Sequence, residues 1–314
     1  MFVFKKHLSP KATKTLAAIL RWGGTLASTA LFVWLLSRQK WEIVLEKATG
    51  IAFWAILLAP AFYLLAYGFN TLRWCVLLWT QQVKITFWQA FRLSWAASFA
   101  SNFLPSTIGG DGFRMLAVHT YTGRKTISIG SVALDRMINM AAMACLLPAP
   151  LLTFGTSLGK LFSGGIAAVP AGLPKLFERY FPKLVAAFET WASRPWAFVY
   201  AFLVAWPSNL FPMSATYVLA HQLGLSVTFW QVISVQTVTY FLSVLPISVN
   251  GYGLREVAYT TLYVALGATL EQASTLALVT RFLMVLTTIP GAIWLSRTLT
   301  GSTNLEGGES IGEF

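Results

Sequence analysis

Two stretches decide the fold of this chain: Leu104-Pro-Ser-Thr-Ile-Gly-Gly-Asp-Gly-Phe-Arg-Met-Leu-Ala-Val118 and Leu245-Pro-Ile-Ser-Val-Asn-Gly-Tyr-Gly-Leu-Arg-Glu-Val-Ala-Tyr259. Six of their fifteen aligned positions are identical. In each stretch an apolar run ends at Leu-Pro, a glycine-rich segment follows, and a shorter apolar run begins. This interruption indicates a broken or re-entrant membrane helix, because irregular backbone at membrane depth is tolerated where protein encloses it.

The similarity continues on both sides of these stretches. Upstream, Thr86-Phe-Trp-Gln89 matches Thr228-Phe-Trp-Gln231, and downstream Ala133-Leu134…Arg136 resembles Ala277-Leu278…Arg281. Several matches in one order predict an internal repeat. We therefore divide a single transmembrane domain, 1–300, into repeat 1 (about 51–150), a linker with an interfacial helix (155–195) and repeat 2 (about 194–290). The polar tail 301–314 is predicted to be disordered.

The composition places the chain in a membrane. Of its 314 residues 56% are apolar and 11% are charged, and the mean hydropathy is +0.63. A soluble domain carries roughly 25% charged residues. The net charge of +12 does not indicate a nucleic-acid partner, because the basic residues flank apolar runs and form no stripe. The chain is predicted to be an all-α polytopic membrane protein.

The apolar segments predict about seven or eight transmembrane segments, two of them broken or re-entrant. The first apolar run, Leu16–Leu36, follows four lysines and lacks a cleavage pattern, so we expect a cytoplasmic N-terminus in a bacterial inner membrane. The other apolar segments are Ile51–Trp79, Phe87–Leu104, Ile127–Phe154, Trp196–Ala220, Phe229–Leu245, Leu254–Leu266 and Gln272–Leu295.

The charge distribution bears on whether the repeat is parallel or inverted. If each broken helix crosses the membrane, the N-terminus, an Arg73–Lys84 loop and the 155–195 linker lie on one side, which then collects most Lys and Arg residues. If the broken helices dip into the membrane and return to the same face, the two sides carry nearly equal numbers of Lys and Arg residues. The positive-inside rule therefore favours crossing helices and an inverted repeat.

Four glycines and two arginines form the first candidate site. Helices that start at the glycine-rich junctions would point free N–H groups into the membrane, where they could bind an anion. An arginine in the first turn of each helix could then hold phosphate oxygens with two donors. The alternative is that the glycines permit close helix packing and the arginines snorkel to an interface. These residues are Gly110, Gly112, Gly251, Gly253, Arg114 and Arg255.

Charged residues inside the later apolar segments form the second candidate site. Asp135, Arg136 and Arg281 lie near mid-membrane, where an isolated charge costs about 2.5–3.5 kcal/mol. Each therefore needs a partner or a watery cavity. Two interpretations meet this requirement: a lipid-phosphate site, or a structural ion pair of Asp135 or Glu256 with an arginine. Supporting polar residues are Asp111, which could cap the half-helix and pair with Arg114, and Asn102 and Asn250, which border the broken segments.

No catalytic constellation can be assembled from the sequence. No Ser-His-Asp set, paired-carboxylate cleft, phosphate-binding loop or His-rich metal motif is present. The two cysteines, Cys75 and Cys145, lie in apolar runs and support neither a disulfide framework nor a zinc site. We expect no enzyme activity, no metal and no cofactor.

Together these motifs resemble the lysylphosphatidylglycerol synthase transmembrane-domain family, also called the flippase-like domain family. The resemblance rests on Gly-Asp-x-x-Arg around Asp111, on Asp135-Arg136 and on Pro…Gly-x-Gly-x-x-Glu ending at Glu256, and it covers about Leu16 to Leu295. It implies a lipid-handling domain, here expected as a stand-alone member without the aminoacyl-transferase domain.

The residue motifs and the family resemblance together predict translocation of an anionic, phosphate-bearing or polyprenyl-phosphate-linked lipid across the inner membrane. In this mechanism Arg114 and Arg255 hold the phosphate, and Arg136 and Arg281 line the cavity. One alternative is a non-transporting lipid-binding or scaffold subunit that partners envelope-biosynthesis enzymes. Another is a membrane-embedded transferase that uses Asp111 or Glu256 as a base. The oligomeric state does not follow from the sequence.

Overall fold

The computed structural model describes residues 41–103, 107–163, 194–244 and 253–295. These residues form helices and no strand, which confirms the all-α prediction for this part of the chain. The first apolar run, most of the linker, the tail, Asn250 and Gly251 lie outside the described residues. The helices are α1 (Trp41–Thr49), α2 (Phe53–Thr80), α3 (Phe87–Phe103), α4 (Thr107–Thr122), α5 (Lys125–Ala144), α6 (Pro148–Ser163), α7 (Pro195–Gln222), α8 (Phe229–Val244), α9 (Leu254–Ala265) and α10 (Leu270–Thr288).

The repeated Thr-Phe-Trp-Gln motif has a local structural cause. In the first copy, the Thr86 N–H donates to Gln89 Oε1 at 2.9 Å, and the Gln89 N–H donates to Thr86 Oγ1 at 3.3 Å. Thr228 and Gln231 make the same two bonds at 2.8 and 3.3 Å. Each motif is a capping box that satisfies free N–H groups at a helix start. It therefore fixes where α3 and α8 begin.

The two halves contain corresponding helices in the same order. Helices α2 and α7 each have 28 residues, and α5 and α10 have 20 and 19. The turns also correspond, since Gly123 before α5 and Gly267 before α10 both have positive φ, 64° and 95°. These shared features support the predicted repeat.

Helices α3 and α4 form an antiparallel hairpin. Gly110 on α4 lies against Ala97 and Ser101 on α3. Further from the turn, Leu93 on α3 and Val118 on α4 belong to one core cluster. The chain therefore turns back between the two helices, which is the dip-and-return geometry, and not the straight crossing that the charge distribution favoured.

Helices α2 and α7, which the predicted repeat makes equivalent, pack against each other in opposite directions. The Ala52 N–H at the start of α2 donates to Gln222 Oε1 at the end of α7, at 3.2 Å. Near the other ends, Leu77 shares a core cluster with Ala201 and Ala205. Small residues at this contact let the two backbones approach closely, as in membrane helix pairs.

One predicted helix in this region was wrong. The segment Ile127–Phe154 is not one helix, because α5 ends at Ala144 and α6 begins at Pro148, with a bend of 43° between them. Pro148 has no N–H and is suited to the first position of a new helix. Helix α6 continues past Gly155 to Ser163, and the bounds of the linker stay a prediction.

Membrane spans are only partly defined. Among the described helices, α2 alone is long and apolar enough to cross a membrane by itself, and α5 with α6 up to Gly155 could form a second, bent span. The count of seven or eight segments stays a prediction. Many large apolar side chains nevertheless face outward, including Trp88, Leu152 and Phe282, each at least 65% exposed. Lipid, not water, suits such a surface.

Candidate functional site

Asp135 on α5 is the centre of a buried charge cluster in the first half. Its Oδ1 accepts a hydrogen bond from Arg73 Nε at 2.7 Å. Its Oδ2 accepts from both Nη1 and Nη2 of Arg114, each at 3.1 Å. The Asp135 and Arg73 side chains are each only 4% exposed. One carboxylate thus holds guanidinium groups from α2 and α4 against α5.

The remaining members of the first cluster surround Arg114. Its guanidinium lies 4.2 Å from the centre of the Trp74 ring, a cation–π contact. Asp111, one turn earlier on α4, is 3.8 Å from Arg114 and forms an ion pair with Arg136 Nε. Arg136 is the outermost member, with 46% of its side chain exposed.

A chain of hydrogen bonds connects this cluster with the second half. Arg73 Nη1 donates to Asn139 Oδ1 at 2.7 Å, and Asn209 Nδ2 on α7 donates to the same oxygen at 3.1 Å. Asn139 Nδ2 then donates to the Tyr240 hydroxyl on α8, at 3.1 Å. The buried polar residues of the first half are therefore bonded to both α7 and α8.

The second half has its own, smaller cluster. Glu256 Oε1 lies 3.7 Å from Arg281 Nε, and Glu256 Oε2 accepts the Gly253 N–H at 2.8 Å. Arg255 Nη1 is 3.7 Å from the Met284 sulfur. These charged groups border a cavity of about 10 Å³, which is room for about one water molecule. The cavity is lined by Arg255, Glu256, Tyr259, Ala277, Thr280 and Arg281.

The predicted arginines thus meet in pairs within each half. Arg114 and Arg136 share Asp111, and Arg255 and Arg281 line one cavity. No contact between Arg114 and Arg255 is found among the described residues, and a shared pocket for the two stays a prediction. Asp135 and Glu256 each lie next to an arginine, as the alternative of a structural ion pair predicted.

The glycines have different roles in the two halves. Gly110 and Gly112 lie inside α4, which begins at Thr107, so Gly112 is not at a helix N-terminus as predicted. A Cβ at Gly110 would be 2.6 Å from the Ala97 carbonyl oxygen and closer still to Ser101 Oγ, so this glycine permits close helix packing. Gly253 precedes α9 with φ of 76°, and its N–H is already bonded to a carboxylate.

Two polar residues have roles that the sequence did not reveal. Arg73 was assigned to a loop, but it lies within α2 and is almost completely buried against Asp135. An arginine seven residues before the end of a long apolar helix was the available signal. Asn102 Nδ2 donates to Thr288 Oγ1 on α10 at 2.9 Å, so it joins the first hairpin to the second half.

A metal centre has no set of ligands in the described part of the chain. Within residues 41–103, 107–163, 194–244 and 253–295, no three His, Cys, Asp or Glu side chains come together in a way that could hold an ion. The described clusters contain several guanidinium groups, most of them largely buried, and guanidinium groups bind anions.

Comparison with known proteins identifies the domain. Residues 21–291 match a family model described as the lysylphosphatidylglycerol synthase TM region. The matched range includes both charge clusters and all the helices described above. A comparison with curated proteins gives no match.

Proposed function

The chain belongs to the lysylphosphatidylglycerol synthase transmembrane family, and from this premise we propose that it moves a lipid with an anionic, phosphate-bearing headgroup between the leaflets of a bacterial inner membrane. The family assignment supports a lipid-related membrane function, as the resemblance implied. To this family-level function we add two proposals: that the protein moves the lipid between leaflets, and that it recognises the phosphate group.

A concentration of arginine side chains carries the proposal. In the first cluster three arginines lie near two aspartates, and in the second Arg255 and Arg281 line one cavity with Glu256. A guanidinium group can bind phosphate oxygens through two donors. A phosphate headgroup that enters from the lipid would meet such donors in either cluster.

The helix arrangement provides a means of alternating access. Because the equivalent helices α2 and α7 run antiparallel, we propose that the two halves form an inverted repeat. The α3–α4 hairpin then enters from one membrane face, and α8 with α9 enters from the other. Rocking of one half against the other would expose the charged residues to each leaflet in turn.

The orientation that we propose follows from the basic residues at one end of the bundle. Lys84, Arg124, Lys125 and Arg194 lie at the end where α2 stops and α5 and α7 start. The positive-inside rule assigns that end to the cytoplasm. If Leu16–Leu36 crosses the membrane, the N-terminus is cytoplasmic as well.

The test is a leaflet assay on the purified protein in vesicles. Fluorescent phosphatidylglycerol would be compared with fluorescent diacylglycerol, which lacks the phosphate, by the fraction that an external quencher can reach over time. We expect accelerated movement of phosphatidylglycerol alone. Binding of phosphatidylglycerol without movement would instead identify a lipid-binding scaffold, and conversion of the headgroup would identify a transferase.

A further inference from the structure

An open apolar groove runs along the surface of α2, beside the start of α3. Its volume is about 630 Å³, and every residue that lines it is aliphatic, aromatic or glycine. Helix α2 contributes residues between Ala61 and Leu72, and α3 contributes Phe87, Trp88 and Phe91. None of the lining residues belongs to either charge cluster, so the groove is a separate feature of the molecule.

The groove has about the length of one membrane leaflet. Its α2 residues stand at positions 61, 64, 65, 68, 69 and 72, which is the spacing of one helix face. At a rise of 1.5 Å per residue this face is about 17 Å long. The hydrocarbon core of a bilayer is about 30 Å thick, so one leaflet contributes about 15 Å. A straight acyl chain has this length, whereas a transmembrane helix of a partner protein would extend over both leaflets.

Gly68 leaves the middle of the groove open. A Cβ at this position would have no atom within 4 Å, so no packed neighbour requires a glycine here, in contrast to Gly110. Leu64 and Leu65, one turn earlier on the same face, are 39% and 46% exposed. The missing side chain therefore provides room for a ligand on the surface of α2.

The end of the groove at α3 combines aromatic rings with a positive charge. Phe87, Trp88 and Phe91 contact one another, with ring centres 5.7–5.9 Å apart. Trp88 is 65% exposed, and tryptophan is enriched where the hydrocarbon meets the lipid headgroups. Lys84 is exposed in the turn three residues before Phe87. A lysine at this level attracts an anionic headgroup.

We propose that this groove binds one acyl chain of an anionic phospholipid whose headgroup lies beside Lys84. The part of the ligand inside the groove is hydrocarbon, because no lining residue carries a charge, and lipid surrounds a transmembrane domain of this family. This lipid site goes beyond the proposed function, since it lies outside both charge clusters and does not require that the protein move lipid.

Gly68→Leu is the decisive variant, because the new side chain would project into the groove. We expect about tenfold weaker lipid binding, which corresponds to the lost burial of about two methylene groups. Leucine favours a helix more than glycine does, so the midpoint of thermal unfolding in detergent should not fall. Gly155→Leu is the matched control, since Gly155 on α6 is exposed, has equally open surroundings and lies outside the groove.

Lys84→Gln tests the position of the headgroup. Removing this charge should weaken binding of phosphatidylglycerol about two- to fivefold, as expected for one exposed lysine near anionic lipid. Binding of zwitterionic phosphatidylcholine should not change. Lys125→Gln is the control, because Lys125 is an exposed lysine at the start of α5 and does not line the groove.

The measurement uses the full chain in phosphatidylcholine vesicles. Phosphatidylglycerol with a photoactivatable diazirine in one acyl chain is titrated into the vesicles, and after illumination the labelled peptides are identified by mass spectrometry. Residues 87–91 are the readout, because none of the variants alters them. The same titration with diazirine-labelled phosphatidylcholine measures the contribution of the headgroup. We expect saturable labelling in wild type and a higher half-saturating concentration in Gly68→Leu.

The outcomes decide the proposal independently of lipid movement. Labelling that does not saturate, or that is equal in Gly68→Leu and Gly155→Leu, would mean that only bulk lipid contacts this face, and would overturn the site. Unlabelled residues 87–91 would overturn it as well, because another protein segment or a second copy of the chain would then cover the groove. Equal affinities of Lys84→Gln and wild type for phosphatidylglycerol would overturn the headgroup position. A negative leaflet assay would contradict the proposed function and leave these results unchanged.

Discussion

At the scale of single residues, Asp135 holds the first half together. It is the counter-ion of Arg73 and Arg114, which come from helices α2 and α4. Removing one member of a buried ion pair leaves an uncompensated charge, which costs about 3–5 kcal/mol. The residue with two partners should therefore be the least tolerant of substitution.

We expect Asp135→Asn to lower the free energy of unfolding by about 3–5 kcal/mol, because two guanidinium groups lose their carboxylate. Arg73→Leu should cost less, since Asp135 keeps its contacts with Arg114. Thermal or denaturant unfolding in mixed micelles would measure both. Glu271→Gln serves as the control and should change stability by less than about 0.5 kcal/mol. An Arg73→Leu protein less stable than Asp135→Asn would contradict this ranking.

Arg114 should be intolerant of lysine for a structural reason. Its two terminal nitrogens both reach Asp135, and its planar group lies over Trp74. A lysine ammonium cannot contact Asp135 through two nitrogens and stack on Trp74 at the same time. Arg114→Lys should therefore lower stability by about 1–3 kcal/mol, measured by the midpoint of thermal unfolding. Arg136→Lys, on a half-exposed arginine, is the comparison, and equal losses in the two variants would refute the argument.

At the scale of elements, the first hairpin depends on one glycine. A Cβ at Gly110 would collide with the Ala97 carbonyl oxygen, a backbone atom that no side-chain rotation can move away. The neighbouring Gly112 has no atom within 4 Å of the position of a Cβ. Two glycines of one motif thus differ completely in the space around them, although the sequence treats them alike.

We expect Gly110→Ala to destabilise the protein by about 1–3 kcal/mol, because α3 and α4 must separate to admit the methyl group. Gly112→Ala on the same helix should be neutral or stabilising by up to about 1 kcal/mol, since alanine favours a helix. Thermal unfolding of the two purified variants provides the comparison. A Gly112→Ala protein as unstable as Gly110→Ala would mean that the hairpin contact is not the cause.

At the scale of the whole molecule, the antiparallel packing of α2 and α7 makes a prediction about topology. The start of α2 lies beside the end of α7, through the contact of Ala52 with Gln222. Residues just before α2 and just after α7 should therefore face one side of the membrane. Those just after α2 and just before α7 should face the other.

Cysteine labelling tests this arrangement. With Cys75 and Cys145 replaced by alanine, Thr49→Cys and Ser226→Cys should react with an impermeant reagent from one face, and Lys84→Cys and Arg194→Cys from the opposite face. All four positions are exposed, so accessibility depends on the side alone. Reaction of Thr49→Cys and Ser226→Cys from opposite faces would exclude the inverted arrangement.

Much of this protein follows from local sequence. The low charge content and long apolar runs determined an all-helical membrane domain, and the family followed from motifs that keep their spacing. The repeated Thr-Phe-Trp-Gln motifs predicted equivalent points in the two halves, and a capping box explains them, because its bonds join residues only three apart. Signals of this kind need no partner from elsewhere in the chain.

The tertiary structure decided which charges meet. Arg73 and Asp135 are 62 positions apart, and Arg73 also reaches Ser208 on the other half. A helix pattern shows that a buried charge needs a counter-ion but does not identify it, since packing brings distant helices together. Arg114 and Arg255 look alike in sequence, but among the described residues only Arg114 has a carboxylate neighbour. That asymmetry arises because a counter-ion acts over a few ångströms in space, whatever its position in the chain.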